Sequence, residues 1–225
     1  MSTIRKLAPV VVLAAVALTW FYARAGANPP VALPAPAVDL PRAAEPGRQT
    51  VVFAGGCFWG IEAVFRHVKG VTEAVSGYAG GAAATAQYEL VSEGNTGHAE
   101  SVRVTFDPAQ VSLGQLLQIF FSVAHDPTQR GGQGPDTGPQ YRSVIFYGSE
   151  RQQAIAKAYL DQLRDARVFG KKELTTQLVP LAGFYDAEPY HQDYASRIPM
   201  EPYIMMWDRP KVEALKKQFS QLYVK

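Results

Sequence analysis

The sequence predicts an α/β domain in which helices pack on a sheet. Short segments rich in β-branched and aromatic residues, such as 51–55, alternate along the chain with longer segments whose apolar residues recur every three or four positions. The first of these longer segments places four apolar side chains on one helical face, at Ile61, Val64, Phe65 and Val68. Strands that alternate with helices imply a sheet covered by helices, because each element must bury its apolar face against another.

Local signals set the limits of each element. Gly70 ends the first helix, Asp107-Pro108 ends a strand, and Ser112 is a good N-terminal cap for the second helix. The predicted strands are 51–55, 71–76, 101–106, 143–147 and 175–181, and the predicted helices are 58–68, 113–121, 150–167 and 208–222. Between them lie two glycine-rich segments, 77–98 and 126–140, and an aromatic irregular segment, 183–207. Irregular segments of this length within a compact domain usually carry function.

Composition limits the classes of protein that this chain can belong to. The chain has 225 residues, of which 47% are apolar and 19% charged, and a formal net charge of +2. This length suits one domain of about 175 residues with an extension. The near-neutral charge gives no basis for a nucleic-acid partner. The single cysteine excludes an internal disulfide framework and a cysteine-based zinc site.

The first 48 residues are expected to lie outside the folded domain. Arg5 and Lys6 precede an apolar run over 7–23, and small residues follow it, so residues 1–27 are interpreted as a signal peptide or an N-terminal membrane anchor. Residues 28–48 are rich in proline and alanine and are interpreted as a linker, which leaves 49–225 as the folded domain. We therefore expect an exported protein that is periplasmic, or anchored in the membrane and facing the periplasm. It would touch the membrane only through 7–23, if this run is not removed.

The single cysteine, Cys57, lies between the first predicted strand and the first predicted helix, within Gly-Gly-Cys-Phe-Trp-Gly. The first N–H groups of a helix are unpaired and carry partial positive charge. A thiolate at this point would be stabilised, so we expect a lowered pKa for Cys57. The alternative is a buried structural cysteine.

Carboxyl and phenol groups occur within the irregular segments, at Tyr88 and Asp136, or one or two residues after them, at Glu100 and Tyr141. A thiolate beside a carboxylic acid and several phenols could attack an electrophile and protonate the oxygen that becomes negative. The carboxyl would need a raised pKa to keep its proton, and burial beside Trp59 could supply this. The alternatives are a surface carboxylate, core tyrosines with satisfied hydroxyls, and histidines that serve as a base or a metal ligand.

Five short motifs follow one another in register, and together they resemble the methionine sulfoxide reductase A family, the peptide-methionine (S)-S-oxide reductases, over about 51–222. The motifs are Gly-Cys-Phe-Trp-Gly at 56–60, Gly-Tyr-Ala-Gly-Gly at 77–81, Thr-Gly-His-Ala-Glu at 96–100, His-Asp-Pro-Thr-Gln at 125–129 and Gln-Tyr-Arg-Ser at 140–143. The resemblance implies a two-layer α/β sandwich with a mixed sheet, related to the ferredoxin-like fold. It also implies reduction of the S-epimer of methionine sulfoxide, protein-bound or free, in the repair of oxidised proteins.

The resemblance assigns catalytic roles to four residues. Cys57 would attack the sulfoxide sulfur and become a sulfenic acid. Glu100 would protonate the sulfoxide oxygen, and Tyr88 and Tyr141 would hydrogen-bond it.

Four further residues would bind the substrate on the same resemblance. Phe58 and Trp59 would hold the ε-methyl group in an apolar pocket, and Asp136 would support the site through a polar or water contact. Tyr194 corresponds to a further pocket tyrosine.

The chain departs from the many relatives that carry a second, resolving cysteine near the C-terminus. Its sulfenic acid must therefore be reduced by an external thiol, which could be a thioredoxin-like protein, a glutaredoxin-like protein or glutathione. We expect no cofactor, no metal and a monomer. Two other functions are kept as alternatives: a Cys–His hydrolase or acyl transferase on another fold, and a non-catalytic domain that binds oxidised methionine.

Overall fold

A computed structural model describes residues 33–225 as a mixed α/β structure. Its strands are β1 Gln49–Ala54, β2 Val71–Ala79, β3 Ala99–Phe106, β4 Gly132–Gln133, β5 Asp136–Thr137, β6 Val144–Tyr147, β7 Gln177–Pro180 and β8 Phe184–Asp186. Its α-helices are α1 Phe58–Arg66, α2 Tyr88–Ser92, α3 Leu113–Ile119, α4 Glu150–Asp165, α5 Tyr194–Arg197 and α6 Arg209–Gln218. Two π-helical turns, at Phe120–Ala124 and Ile204–Asp208, extend α3 and precede α6.

The main sheet has six strands in the order β7-β6-β1-β3-β2-β8. All neighbouring pairs are antiparallel except β6 and β7, which run parallel, so the sheet is mixed as expected. Strands β4 and β5 form a separate two-stranded hairpin. The central pair, β1 and β3, aligns Phe53 with Val102 and Val51 with Val104.

The two faces of the sheet pack differently. Phe53 and Val102 point into the large core beneath the helices, where Phe53 stacks between Phe65 of α1 and Phe120 at centroid distances of 5.0 and 4.7 Å. Val52 belongs to a smaller apolar cluster formed with other strand residues. The β1 run 51–54 is therefore buried throughout, rather than alternating between core and solvent, which is typical of a central strand.

Most predicted elements are confirmed with small changes of boundary. Ser112 caps α3 with a reciprocal pair of hydrogen bonds to Gln115, as its position predicted. Strand β8 and helix α2 were not predicted; both lie in segments interpreted as irregular. Strand β8 has only three residues and forms because it pairs with the edge of β2, so its own sequence pattern is weak.

The described part of the predicted linker, 33–48, packs on the domain instead of lying outside it. Leu33 is buried in the main core, and the hydroxyl of Tyr159 on α4 donates to the carbonyl of Pro34 at 2.9 Å. Asp39 accepts hydrogen bonds from the Ser112 hydroxyl at 2.5 Å and from the Gly114 N–H at 3.0 Å, at the start of α3. The proline-rich composition did predict the lack of regular structure, but these specific contacts fix the path of the segment.

Within residues 33–225, the helices are all too short or too polar to cross a bilayer. The predicted signal peptide or anchor, 1–27, lies outside the described residues, as do the first residues of the predicted linker.

Candidate active site

Strand order explains why Cys57 and Glu100 lie together. Cys57 follows the C-terminal end of β1, and Glu100 is the second residue of β3. Because β1 and β3 are antiparallel neighbours, the C-terminal end of β1 lies beside the N-terminal end of β3. The Glu100 carboxylate accepts the backbone N–H of Phe58, the first residue of α1, at 3.0 Å from Oε2, and its charge acts on the Cys57 thiol.

Two glycines let the chain turn from β1 into α1. Gly56 has a φ of +101°, a conformation that favours glycine, and a β-carbon there would lie 2.7 Å from Gln133. Cys57 itself directly precedes the first turn of α1, so the prediction of a thiol at a strand–helix junction is confirmed.

The prediction of a lowered pKa for the Cys57 thiol is wrong. Cys57 is only 8% exposed, and burial raises its pKa well above the ordinary value; the carboxyl groups of Glu100 and Asp208 act in the same direction. A hydrogen bond from the backbone N–H of Trp59 lowers the pKa, but it does not outweigh burial. The helix start therefore stabilises the thiolate as predicted, and the loss of hydration is the larger effect.

Glu100 has the raised pKa that the sequence led us to expect. Its side chain is 3% exposed, and burial raises its pKa from 4.5 to about 8, although the Phe58 N–H opposes this. The alternative of a surface carboxylate is therefore wrong. At neutral pH the site holds a protonated carboxylic acid next to a protonated thiol.

The phenols of Tyr88 and Tyr141 lie near this acid. Tyr88 is the first residue of α2, and Tyr141 ends the 3₁₀ turn Pro139–Tyr141. Burial raises the pKa of both hydroxyls, and the nearby charges of Glu100 and Cys57 raise it further. Both phenols are thus held as hydrogen-bond donors beside the thiol.

Asp136 lies in the β4–β5 hairpin at the same site. Its carboxylate accepts the hydroxyl of Tyr203 at 2.5 Å, and burial raises its pKa. Its charge reaches Glu100 and Cys57, where it favours the protonated forms.

The aromatic residues that follow Cys57, Phe58 and Trp59, form an aromatic wall with Tyr194 beside the thiol. Phe58 is fully buried, whereas Trp59 is partly exposed and stacks on Tyr194 with ring centroids 3.9 Å apart and planes 11° apart. Tyr203 meets the Trp59 ring edge-on at 6.0 Å. The structure therefore brings together all eight residues predicted for the site.

Sequence reasoning missed several residues at this site. Tyr203 bonds Asp136 across 67 positions of sequence, so no local pattern indicates the contact. Asp208 is fully buried, and Gly60 makes room for it, since a β-carbon at Gly60 would lie 2.1 Å from its carboxylate. Lys211 pairs with Asp208 at 3.1 Å, although lysines of a C-terminal helix usually lie on its solvated face; the buried carboxylate requires a nearby cation.

The histidines direct their hydrogen bonds away from the thiol. His98 bonds the backbone of Gly81 and Ala82, and His125 bonds the carbonyl of Phe120. His191 accepts the indole N–H of Trp59. This arrangement does not supply the thiol–imidazole pair that a Cys–His hydrolase needs. Across residues 33–225, we find no group of three or more His, Cys, Asp or Glu side chains placed to hold a metal ion.

Comparisons with known proteins agree with this site. The sequence profile of the family described as "Peptide methionine sulfoxide reductase" matches residues 49–223. A peptide methionine sulfoxide reductase MsrA 2 from Mesorhizobium japonicum is 54% identical over 180 residues, which cover 80% of this chain and 92% of that protein.

Solved structures give the same result. Methionine sulfoxide reductase A of Corynebacterium diphtheriae is 35% identical, with a TM-score of 0.60 over 70% of this chain and 78% of that one. Reduced Mxr1 from Saccharomyces cerevisiae is 33% identical, with a TM-score of 0.61 over 68% and 87%. By its sequence, its fold and the arrangement of its site, this chain belongs to the peptide methionine sulfoxide reductase family.

Proposed function

We propose that this chain reduces the S-epimer of methionine sulfoxide, free or in oxidised proteins, through a sulfenic acid on Cys57. The observation that carries the proposal is the buried Glu100 carboxyl, which accepts the N–H of the residue after Cys57, acts on the thiol through its charge, and has a pKa raised to about 8. An acid that keeps its proton at neutral pH next to a nucleophile is what sulfoxide chemistry needs, because the sulfoxide sulfur is a poor electrophile until its oxygen is protonated.

The protonation state of the site balances the reaction. Glu100 gives its proton to the sulfoxide oxygen as the Cys57 sulfur attacks the sulfoxide sulfur, and the thiol proton passes to the Glu100 carboxylate. The S–O bond of the substrate then breaks and the hydroxyl moves to the Cys57 sulfur, while the bond between the two sulfurs breaks with its electron pair on the methionine sulfur, and methionine leaves. Thiol and sulfoxide become sulfenic acid and sulfide with no net uptake or loss of protons. Before the reaction, the Glu100 carboxyl and the Cys57 thiol are both protonated and uncharged, which agrees with this proton balance.

The phenols stabilise the oxygen as it gains negative charge. Tyr88 and Tyr141 lie near both Glu100 and Cys57, and their raised pKa values keep them protonated and able to donate. Donors aimed at a developing oxyanion act mainly in the transition state; loss of one typically costs about 10²- to 10³-fold in rate. Asp136, held by Tyr203, supports this polar side of the site.

The aromatic wall binds the apolar end of the substrate. Phe58 and Trp59 offer ring surface to the ε-methyl group, and Tyr194 supports the indole by stacking on it. A methyl group in an apolar pocket on one side and an oxygen among donors on the other fix the configuration at sulfur. This geometry supports selectivity for one epimer.

Regeneration requires a thiol from another molecule. Cys57 is the only cysteine in the sequence, so the sulfenic acid cannot form an intramolecular disulfide. Two external thiols would reduce it, with release of water and formation of a disulfide between them. A thioredoxin-like protein, a glutaredoxin-like protein and glutathione are the donors to compare.

Steady-state reduction of both epimers by the full chain, with each donor supplied in turn, tests the proposal. We expect turnover of the S-epimer alone, and loss of turnover in Cys57→Ser. Full activity of Cys57→Ser would contradict the proposed nucleophile. Release of one methionine per chain without turnover, even with excess dithiothreitol, would indicate a binding protein instead.

We further propose that the chain is exported. The support is the sequence of residues 1–27, with Arg5 and Lys6 before an apolar run and small residues after it. Cell fractionation with osmotic release, and the mass of the recovered protein, test this location. A full-length chain confined to the cytosol would contradict it, whereas a membrane-bound full-length chain accessible from the periplasm would indicate an anchor.

A further inference from the structure

Glu188 contacts Tyr88 at the polar part of the active site and His191 next to the aromatic wall. One carboxylate oxygen, Oε1, accepts the backbone N–H of Tyr88 at 3.0 Å. The other, Oε2, accepts the hydroxyl of Tyr78 at 2.8 Å and lies 3.9 Å from Nε2 of His191. The proposed function assigns no role to either Glu188 or His191.

His191 connects this carboxylate to the aromatic wall. Its ring is 2% exposed, and its Nδ1 accepts the indole N–H of Trp59 at 3.2 Å. An indole N–H can only donate, so Nδ1 carries no proton, and the proton of the neutral ring lies on Nε2. The same ring packs between Tyr88 and Phe58, with centroid distances of 4.5 and 5.0 Å.

The protonated Nε2 of His191 faces the Glu188 carboxylate at 3.9 Å, and the charge of Glu89 acts on the same ring. Nε2 is buried and makes no hydrogen bond with any residue in 33–225, and the Glu188 carboxylate faces it. A carboxylate accepts and cannot donate, so its charge favours the tautomer protonated at Nε2 over the one protonated at Nδ1. Burial lowers the pKa of His191, which keeps the ring neutral.

We propose that Glu188 is a positioning residue for sulfoxide reduction: it holds Tyr88 by its backbone and, by favouring the His191 tautomer that accepts the indole N–H, helps to orient Trp59. This inference rests on the proposed function, because Tyr88 and Trp59 are the groups that would contact the sulfoxide oxygen and the methyl group. A single side chain thereby sets the spacing between the polar and apolar sides of the site.

The substitution Glu188→Gln separates the contact with the Tyr88 backbone from the effect on the His191 tautomer. The amide oxygen can still accept the Tyr88 N–H, but the amide NH₂ replaces the oxygen that faces Nε2 of His191. The NH₂ group then faces the proton on Nε2 and raises the energy of that tautomer, so part of the population moves its proton to Nδ1 and loses the hydrogen bond from Trp59. We expect KM for the sulfoxide to rise about 2- to 10-fold with kcat nearly unchanged, because the methyl pocket binds ground state and transition state alike. Glu188→Ala also releases Tyr88, so kcat should fall as well.

Nitrogen-15 NMR of the full chain reports which ring nitrogen of His191 carries the proton. This would not change if Glu188 had only a structural role. In the wild type, Nδ1 of His191 should show the shift of an unprotonated nitrogen, and in Glu188→Gln this shift should move toward that of a protonated one. Tyr78→Phe is the matched control: it removes a hydrogen bond to the same carboxylate and should leave the tautomer unchanged. His191→Asn should rescue Glu188→Gln, because its amide oxygen accepts the Trp59 indole whatever faces the other side.

Three results would overturn the inference. The first is a proton on Nδ1 in the wild type, which can be measured even if the variants do not fold. The second is an unchanged tautomer and KM in Glu188→Gln. The third is a KM for the Glu188→Gln, His191→Asn double variant as high as that of Glu188→Gln. The NMR measurement needs no turnover, so a wild type without reductase activity would contradict the proposed function and leave the tautomer test valid.

Discussion

Replacement of Glu100 by glutamine should stabilise the fold while it removes activity. Glu100 is buried, and its pKa rises from 4.5 in an unfolded chain to about 8 in the folded protein. Between these two values the folded protein holds a proton that the unfolded chain has released. Stability therefore falls as pH rises through this interval, and it falls no further once the folded carboxyl also ionises.

The size of the effect follows from the two pKa values. The interval from 4.5 to about 8 spans about 3.5 pH units, and each unit corresponds to about 1.36 kcal/mol. Glu100 alone should therefore lower the unfolding free energy of the wild type by about 5 kcal/mol between pH 4 and pH 9, of which about 3 kcal/mol is lost by pH 7. Glutamine has nearly the same shape and no charge, so Glu100→Gln avoids this loss. A whole domain is stable by only about 5–15 kcal/mol, so the change is large.

Urea unfolding of wild type and Glu100→Gln, followed by tryptophan fluorescence from pH 4 to pH 9, measures this difference. We expect the two proteins to be similar near pH 4 and to diverge up to about pH 8, with the variant more stable. Glu213→Gln, which removes an exposed carboxylate on α6, is the matched control and should show no such divergence. A difference between wild type and Glu100→Gln that does not change with pH would refute the reasoning.

Three further predictions concern the same molecule. The kcat/KM of the wild type should fall about tenfold per pH unit above pH 8, where Glu100 loses its proton, and a pH–rate profile that stays flat to pH 10 would contradict its role as the acid. Tyr88→Phe and Tyr141→Phe should each lower kcat about 10²-fold or more with little change in KM, whereas Tyr147→Phe, at the opposite edge of the sheet, should leave both constants unchanged in steady-state assays. Asp39→Ala should lower the unfolding free energy by about 1–2 kcal/mol, measured in urea, because the first turn of α3 loses a charged acceptor, and an unchanged midpoint would show that the 33–48 contacts contribute nothing.

Local patterns predicted the elements that carry the thiol. The β-type run before Cys57 and the apolar spacing after it depend only on neighbouring residues, and so does the Ser112 cap of α3. The position of Glu100 followed from the motif and from the strand that begins beside it.

Contacts between distant segments were not predictable from the sequence alone. The pKa of Cys57 depends on burial and on Asp208, which is 151 positions away, so the local signal of a helix start gave the wrong direction. Strand β8 forms by pairing with β2, and Tyr203 reaches Asp136 from a segment whose pattern resembles a loop. Each of these features depends on which surfaces meet, and a linear pattern does not encode this.

Segment 33–48 packs on the domain and therefore limits how far the domain can lie from the N-terminal part of the chain. Sixteen extended residues could span about 50 Å, yet these sixteen lie along α3 and α4, so that length adds nothing to the reach of the domain. One form of the export proposal anchors the N-terminus in a bilayer. In that case the catalytic domain would reach only substrates close to the membrane surface. Oxidised proteins would then have to diffuse to the surface for repair.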